Sequence, residues 1–328
     1  MACQKTDVIR SVHTKMMIEF DSHTLWVKVK KQEGIGKMKF SLIIGTLNRC
    51  RELEICLESL RKQVFRDFEV IIIDQSINDS TQQLANGYQD LNIIYEHVDF
   101  MGLSKARNYA LKMAHGDYFA LIDDDAYYDE RYLWEADKVL NDDREMILVG
   151  NIVQKSMLKK YSSKKQLKAI GYHQIMKNCP SPVLVFPYTL YCKGICFDEN
   201  FGVGATFGAC EETDLILEAL DNKYQIGYCE NMFVVHPTMQ HSFEIENTTE
   251  VKKRENYARG LGALLEKDKV IRKNKRLHYY EMEKKCKILL KKTGLFGKKE
   301  KDLAIADLRG LNTGKRDFRK LLEKETYR

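Results

Sequence analysis

Short apolar runs alternate with amphipathic stretches between residues 40 and 153. The runs FSLIIGTL, FEVIIID, LNIIYEH, GDYFALI and EMILVGNIV are short and rich in β-branched and aromatic residues, as buried strands are. Between the first two runs, apolar residues recur at helical spacing and share one face: Leu53, Cys56, Leu57, Leu60 and Val64. Strands that alternate with helices build a mostly parallel sheet, so the pattern predicts an α/β fold.

The rest of the chain completes this outline. Ser104 is the expected N-cap of a helix that runs to about residue 115. Segments 183–197 and 226–235 are predicted to be strands, and the lysine-rich segment 155–177 is predicted to be an exposed excursion. Apolar and basic residues alternate in LWVKVK at 25–30, which is typical of a strand.

Composition places the chain among globular proteins. Of its 328 residues, 44% are hydrophobic and 30% are charged, values that exclude a disordered or collagen-like protein. No apolar run approaches the roughly 18 residues that cross a bilayer, and the first residues lack an apolar signal core. The nine cysteines form no CxxC pair, so neither a disulfide framework nor a zinc ribbon is indicated. We therefore expect a cytoplasmic protein.

Charge is distributed unevenly along the chain. Residues 251–328 hold 25 Lys or Arg against 11 Asp or Glu, although the whole chain carries only +6. Such asymmetry indicates an anionic partner, either a nucleic acid or a membrane surface. The segment is predicted to be helical, and several of its apolar residues can gather on one side: Met282, Cys286, Leu289 and Leu290, followed by Phe296, Phe318, Leu321 and Leu322. This face could pack on the preceding domain or lie on the anionic inner leaflet of the plasma membrane.

Three adjacent carboxylates, Asp123, Asp124 and Asp125, directly follow a predicted buried strand. Ligand sites of open α/β sheets lie at such strand ends. Hard divalent cations such as Mg²⁺ and Mn²⁺ prefer oxygen ligands and would relieve the repulsion among the three groups. A solvated acidic turn before the next helix explains the triplet equally well. The triplet alone therefore leaves a metal site and a helix cap open.

A second acidic group follows a stretch that contains three glycines. Glu211, Glu212 and Asp214 begin an apolar helical pattern, where carboxylates ordinarily complement the helix dipole. The glycines favour a functional role, because they let backbone approach a ligand closely. Asp74 ends the second predicted strand and could bind a base or ribose in the same crevice. His236 could bind a metal, although a lone histidine at a strand end is more often structural.

The order of these elements resembles glycosyltransferase family 2. FSLIIGTLNR resembles the family's first strand and nucleotide loop, with Gly45 and Leu47 in place of the usual proline and tyrosine. EVIIIDQSINDST resembles its second strand, with Gln75 where a second aspartate is common. GLSKARNYALKMAHGDYFALIDDD resembles its helix and DxD strand, and EETDL stands in the place of its ED motif. The resemblance covers about residues 39–240 and implies the nucleotide-sugar-binding GT-A fold.

The resemblance also implies a donor site. It places several residues around the nucleotide, with the metal-binding residues beside them. The residues implied near the nucleoside are Thr46, Asn48 and Arg49, with Asp74 on the base and Arg107 near the diphosphate. Asp123 and Asp125 are implied to hold ribose and metal, Asp124 is adjacent to them, and Asp214 is grouped with these donor-binding residues.

The catalytic and metal-binding groups follow in the same way. The resemblance implies that Glu212 is the general base and that Glu211 is its neighbour in the motif. Asp125 and Asp123 are the implied ligands of Mn²⁺ or Mg²⁺, and His236 is a possible further ligand. A carboxylate must take the proton of the acceptor hydroxyl, and a cation must offset the charge of the departing diphosphate.

The expected protein is a metal-dependent, inverting glycosyltransferase that uses a nucleotide sugar, with UDP as the expected nucleotide, and a glycan or lipid-linked acceptor. Its expected parts are an N-terminal extension (1–38), a GT-A domain (39–245) and a helical basic region (246–328). A sugar-phosphate nucleotidylyltransferase and a noncatalytic nucleic-acid-binding module are the alternatives. A dinucleotide oxidoreductase is disfavoured, because no GxGxxG follows the first strand. We expect no nucleic-acid partner, since few aromatic residues interleave with the basic residues of the tail.

Overall fold

A computed structural model describes residues 38–140, 145–153, 167–236 and 247–326. The predicted strand at 25–30 and residues 154–166 of the lysine-rich segment lie outside these ranges. Residues 37–328 form one compact unit. Within the described part, no helix is both long enough and apolar enough to cross a membrane.

The described strands join in a single mixed sheet. They are β1 (Phe40–Thr46), β2 (Phe68–Asp74), β3 (Ile93–His97), β4 (Tyr118–Leu121), β5 (Tyr127–Tyr128), β6 (Met146–Ile152), β7 (Leu167–Ala169), β8 (Leu184–Pro187) and β9 (Gln225–Val235). Their order is β3, β2, β1, β4, β8, β6, β9, β5, and β7 pairs with β9. The pairs β1/β2, β1/β4, β2/β3 and β6/β9 are parallel.

Helices connect and flank the strands. They are α1 (Cys50–Arg61), α2 (Ser80–Gly87), α3 (Leu103–Leu111), α4 (Tyr132–Leu140), α5 (Tyr172–Asn178), α6 (Thr189–Cys192), α7 (Glu211–Asp221), α8 (Asn247–Val270), α9 (His278–Lys292) and α10 (Lys298–Thr326). The α/β prediction is confirmed. The core includes the predicted face of α1, with Leu53, Cys56, Leu57 and Leu60 buried, whereas Val64 follows the helix and is 59% exposed.

The strand register brings the polar strand ends together. Thr46 at the end of β1 is aligned with Asp74 at the end of β2. The aspartate triplet follows β4, whose last residue pairs with Ile43 of β1. After the triplet, β5 pairs antiparallel with the end of β9, and Tyr127 is aligned with Val235. This pairing delivers His236, the next residue, to the same sheet edge.

Two local predictions were wrong. The predicted strand 183–197 is a strand only at β8, because α6 begins two residues after its last residue, Pro187. Ser104 is not an N-cap, because α3 begins after Gly102 and the Ser104 hydroxyl donates to the Phe201 carbonyl at 2.5 Å. Most of the described part of the lysine-rich segment, residues 167–177, is exposed as predicted, although it forms β7 and α5 and its Ile175 is buried.

The basic C-terminal region is helical, as predicted, and part of it belongs to the core. Helices α8 and α10 approach so closely that a Cβ atom on Gly262 would lie 2.2 Å from the Leu311 carbonyl oxygen. Likewise, a Cβ atom on Gly314 would lie 2.0 Å from the Arg259 carbonyl oxygen. Phe318 is buried in a second apolar cluster formed with α8 and the glycine-rich stretch before α7. The apolar residues Phe318, Leu321 and Leu322 of α10 therefore pack within the protein.

The crossing of α8 and α10 makes a stability prediction. Alanine is favoured over glycine by about 1 kcal/mol within a helix, so Gly314→Ala would stabilise an isolated helix. In the folded chain the added methyl must push two backbones apart, and we expect the free energy of unfolding to fall by about 2 kcal/mol. Gly87→Ala is the control, because nothing lies within 4 Å of that position. Denaturant unfolding that shows equal stability for both variants would contradict the close crossing.

Candidate active site

The aspartate triplet after β4 is held by hydrogen bonds from the loop after β1. The Thr46 hydroxyl donates to Asp124 at 2.8 Å. The Arg49 guanidinium donates to Asp124 and to Asp125, each at 2.7 Å. Burial raises the pKa of Asp124 to about 6, although the charge of Arg49 opposes this. Burial also acts to raise the pKa of Asp125, but hydrogen bonds from His236 and Arg49 hold it below its ordinary value.

His236 completes a group of three potential metal ligands. Its Nε2 atom lies 3.2 Å from an oxygen of Asp125 and 3.8 Å from an oxygen of Asp123. Hydrogen bonds to Asp123 and Asp125 raise the pKa of His236 to about 9, against the effect of burial. One ligand atom from each residue lies within 4.8 Å of the others. Two carboxylates and an imidazole that converge in this way fit a divalent cation such as Mn²⁺.

Arg107 links the triplet to the start of α7. Its side chain is 2% exposed, and it donates to Glu211 at 3.0 Å and to Asp123 at 3.2 Å. The sequence predicts Arg107 near a diphosphate. In the structure two carboxylates engage its guanidinium. Arg107 therefore positions the two acidic motifs relative to each other.

Glu212 differs from its neighbour Glu211 in its hydrogen bonding, because Arg107 donates to the Glu211 carboxylate. The Oε2 atom of Glu212 is buried and has no hydrogen-bond partner among the residues that the structure describes. Burial and the negative charge of Glu211 raise the pKa of Glu212 well above its ordinary value. The preceding residue, Cys210, has a φ of 75°, a left-handed conformation that costs a non-glycine residue about 1 kcal/mol or more. Strain of this kind is common at functional sites.

These groups open into one cavity of about 880 Å³. Its lining includes Thr46 at the end of β1, Arg49 in the loop that follows, and Gln75 in the loop after β2. Most of the acidic part of its lining comes from Asp123, Asp124, Asp125, Glu211 and Glu212, with His236 beside them, and Asp307 of α10 also lines the cavity. Helices α5, α8 and α9 supply a further part, which we call the basic wall: Lys177, Lys253, Arg254, Tyr257, Tyr280 and Lys284.

Sequence reasoning missed the basic wall. It treated the C-terminal region as a membrane-binding or packing element, and it placed Lys177 in an exposed excursion. A weak signal exists, because Lys253 with Tyr257 and Tyr280 with Lys284 repeat a lysine–tyrosine pair at a spacing of four residues, which places each pair on one helical face. Nothing in the sequence indicates that these faces return to the cavity.

Three further predicted site residues lie outside the cavity lining. Asp74 is fully buried, and it accepts hydrogen bonds from the Tyr95 hydroxyl at 2.8 Å and the Ser76 backbone at 2.9 Å. Asn48, with a φ of 55°, shapes the loop, and its backbone N–H donates to the Ser76 hydroxyl at 2.7 Å. Asp214, in the first turn of α7, is the third residue outside the lining.

Asp214 is enclosed by cations of the C-terminal region. Lys267 and Arg272 each contact its carboxylate at 2.8 Å, and its side chain is 5% exposed. A carboxylate occupied in this way is not available to a donor. We therefore correct the sequence-based role of Asp214 from donor binding to the attachment of α8 to α7.

Comparison with known proteins gives a family and a fold. Residues 41–196 match the family model described as Glycosyl transferase family 2. TarS of Staphylococcus aureus (strain Mu50 / ATCC 700699), a poly(ribitol-phosphate) beta-N-acetylglucosaminyltransferase, is 31% identical over 134 residues, which cover 37% of this chain and 23% of TarS. WfaP of Escherichia coli, a UDP-Glc:alpha-D-GlcNAc-diphosphoundecaprenol beta-1,3-glucosyltransferase, is 36% identical over 89 residues, which cover 27% of this chain and 36% of WfaP. The chain thus spans well under half of these relatives.

Among solved structures, the mannosyltransferase PcManGT from Pyrobaculum calidifontis, in complex with GDP-Man and Mn²⁺, matches with a TM-score of 0.55. The match covers 84% of this chain and 72% of PcManGT at 17% sequence identity, a level that supports a common fold alone. The mixed sheet with flanking helices is the GT-A architecture. The chain therefore contains a glycosyltransferase family 2 domain, with the GT-A fold that its sequence motifs predict.

Proposed function

We propose that this cavity transfers a sugar from a nucleotide sugar to an acceptor hydroxyl. One observation carries the proposal: the ligand set Asp123, Asp125 and His236 opens into the same cavity as Glu212, whose buried oxygen lacks a hydrogen-bond partner among the described residues. The first group suits the departing diphosphate, and the second suits the attacking hydroxyl. We take UDP as the nucleotide and a glycan or lipid-linked glycan as the acceptor, since the name of WfaP gives UDP-Glc as the donor and a diphosphoundecaprenol-linked sugar as the acceptor.

Asp123, Asp125 and His236 would hold Mn²⁺ or Mg²⁺. A bound cation offsets the negative charge that grows on a departing nucleoside diphosphate. Arg49 orients the Asp125 carboxylate, and together with Thr46 it holds the adjacent Asp124, on the side where we place the nucleoside. Arg107 donates to both Glu211 and Asp123 and so fixes their relative position. The distance between the proposed donor and acceptor ends of the cavity is thereby fixed.

Glu212 is the proposed general base. It takes the proton of the acceptor hydroxyl while that oxygen forms a bond to the anomeric carbon. The bond from the anomeric carbon to the diphosphate oxygen breaks, and its electron pair leaves with the diphosphate. Attack from the face opposite the departing group inverts the anomeric carbon. The raised pKa of Glu212 makes the carboxylate a stronger base once it is ionised.

We also propose that α9 brings the domain to an anionic membrane surface. Met282, Leu289 and Leu290 are each more than half exposed, and Leu295 and Phe296 after the helix are 79% and 56% exposed. Lys292 and Lys298 beside them are exposed, and neither has an ion pair within the described ranges. Each lysine near an anionic surface contributes about 1 kcal/mol, more than an exposed ion pair. A peripheral position on the inner face of the plasma membrane would suit a lipid-linked acceptor.

Asp125 provides the first test of the transferase assignment. A screen of nucleotide sugars should reveal release of nucleoside diphosphate that depends on Mn²⁺ or Mg²⁺. Asp125→Asn should lower this release at least 100-fold with the circular dichroism spectrum retained, because the variant loses a charged ligand at the edge of the sheet. Asp90→Asn, which alters an exposed carboxylate paired with Arg61, is the control. Full activity in a chelator or in Asp125→Asn would refute the role of the metal.

Glu212 provides the second test. Glu212→Gln should lower turnover by about 10²- to 10⁴-fold with little change in donor KM, because it removes only the proton acceptor. Glu211→Gln should cost less. It should also move the acid limb of the pH–rate profile to lower pH, because the charge of Glu211 raises the pKa of a base that works deprotonated. An inactive Glu211→Gln beside an active Glu212→Gln would reverse the two roles, and small equal losses would indicate a helix cap only.

The exposed face of α9 provides the third test. The intact chain should cosediment with vesicles of phosphatidylglycerol but not with those of phosphatidylcholine, and salt should weaken the association. The double variant Leu295→Asp with Phe296→Asp should lose it. Ile55→Asp, which changes an equally exposed apolar residue on α1, should retain it. Point variants are preferable to truncation, because removing α10 would expose the second apolar cluster. Equal binding to both vesicle types would argue against an anionic surface.

A further inference from the structure

The basic wall has more positive charge than its carboxylates neutralise. Arg254 is matched by Asp307 through hydrogen bonds of 3.0 and 2.9 Å, and Lys177 is matched by Glu283 at 3.2 Å. Lys284 has no carboxylate within ion-pair distance among the residues that the structure describes. Lys253 has none either in the same ranges, and its ammonium lies 5.6 Å from the Tyr257 ring. Within the described residues, two cations of the wall therefore lack a matching carboxylate and can serve a ligand.

The environment of Lys284 is unfavourable for an isolated ammonium. Burial lowers the pKa of Lys284, and the nearby charges of Arg254, Lys291 and Lys287 lower it further, while Asp307 opposes them in part. A cation that is partly removed from water and surrounded by other cations is stabilised when an anion binds beside it. The site thus favours a ligand with negative charge.

The basic wall lies within electrostatic reach of the proposed base. The positive charge of Lys284 acts on the thiol of Cys210, which precedes Glu211 in the chain. The Tyr257 hydroxyl experiences the charges of Glu211, Asp123 and Glu212. An acceptor that presents its hydroxyl to Glu212 can therefore extend over the basic wall. In the proposed function the diphosphate of the donor would have a different partner, the cation that Asp123, Asp125 and His236 would hold.

We propose that the basic wall is an acceptor subsite for a phosphate group, with Lys284 and Lys253 as its main contacts. This inference rests on the proposed function, because it assigns the acceptor to the same cavity. The phosphate can belong to a phosphodiester chain or to the diphosphate of a lipid carrier, and both present the same anionic oxygens. Lysine serves such a group as a point charge, with up to three N–H donors.

The test measures binding of two probes to the full chain by calorimetry: glycerophosphoglycerol, a phosphodiester, and geranyl diphosphate. Saturating UDP and Mn²⁺ are present throughout, so that the donor site is filled. We expect binding of at least one probe, and the stronger probe identifies the source of the phosphate. Lys284→Gln should weaken binding about 10-fold or more, because it removes the charge. Lys284→Arg should stay within about threefold of the unaltered chain.

Two further variants separate the subsite from general effects. Lys285→Gln alters the next lysine of α9, which is paired with Glu281, and should leave probe binding unchanged. Lys253→Gln should weaken binding and serves as the second test if Lys284→Gln fails to fold, as judged by its melting temperature. Absence of probe binding, or equal binding by both charge-removing variants and the unaltered chain, would overturn the proposal.

Two added titrations, of each probe without UDP and of UDP with Mn²⁺ alone, distinguish this proposal from the proposed function. If UDP displaces the probes, the anion site belongs to the donor and the acceptor assignment is overturned. If UDP with Mn²⁺ does not bind, but the probes bind in a Lys284-dependent manner, the donor assignment fails and the anion site is supported. If UDP binds and the probes do not, the acceptor subsite fails and the donor site stands.

Discussion

The structure of the site depends on how the negative charge of three adjacent carboxylates, which follow one buried strand, is compensated. Two unit charges 4 Å apart repel by about 4 kcal/mol near a protein surface, so Asp123, Asp124 and Asp125 require cations around them. Arg49, Arg107 and His236 supply this compensation from three different segments of the chain. The sheet register makes it possible, since the ends of β1, β4 and β9 meet there. A divalent cation bound by these carboxylates could supply part of the compensating positive charge. The same cation would offset the charge of a departing diphosphate, as the proposed chemistry requires.

The C-terminal helices complete the cavity. Glycines allow α8 and α10 to cross at backbone distance, and α8 is attached to α7 through Lys267 and Asp214. This attachment places the basic wall in the cavity that holds the acidic groups. One cavity therefore contains a negative region, which suits a metal-bound donor, and a positive region, which suits an anionic acceptor. The exposed face of α9 lies on the same helix as Lys284, so membrane contact and acceptor binding could act together.

Sequence patterns predicted most of the sheet and the acidic part of the site. Strand periodicity predicted β1, β2, β4 and β6, and the order of the motifs predicted the GT-A fold. Local patterns could not show that Asp214 would be enclosed by Lys267 and Arg272, since its position in the first turn of α7 is the same in either role. Nor could they place Lys284 in the cavity, because that depends on helix packing between residues distant in sequence. Phe318 and Leu290 illustrate the same limit, because one is buried and the other exposed although both fit an apolar helical face.

The central claim is that Asp123, Asp125 and His236 bind the cation that holds the diphosphate of the donor. Anomalous diffraction from a crystal soaked with MnCl₂ and UDP tests it most directly. The account predicts one manganese peak within bonding distance of Asp123, Asp125, His236 and a diphosphate oxygen, with the Glu212 carboxylate left free to face the acceptor side of the cavity. UDP bound in the cavity without manganese, or manganese bound away from these side chains, would contradict it.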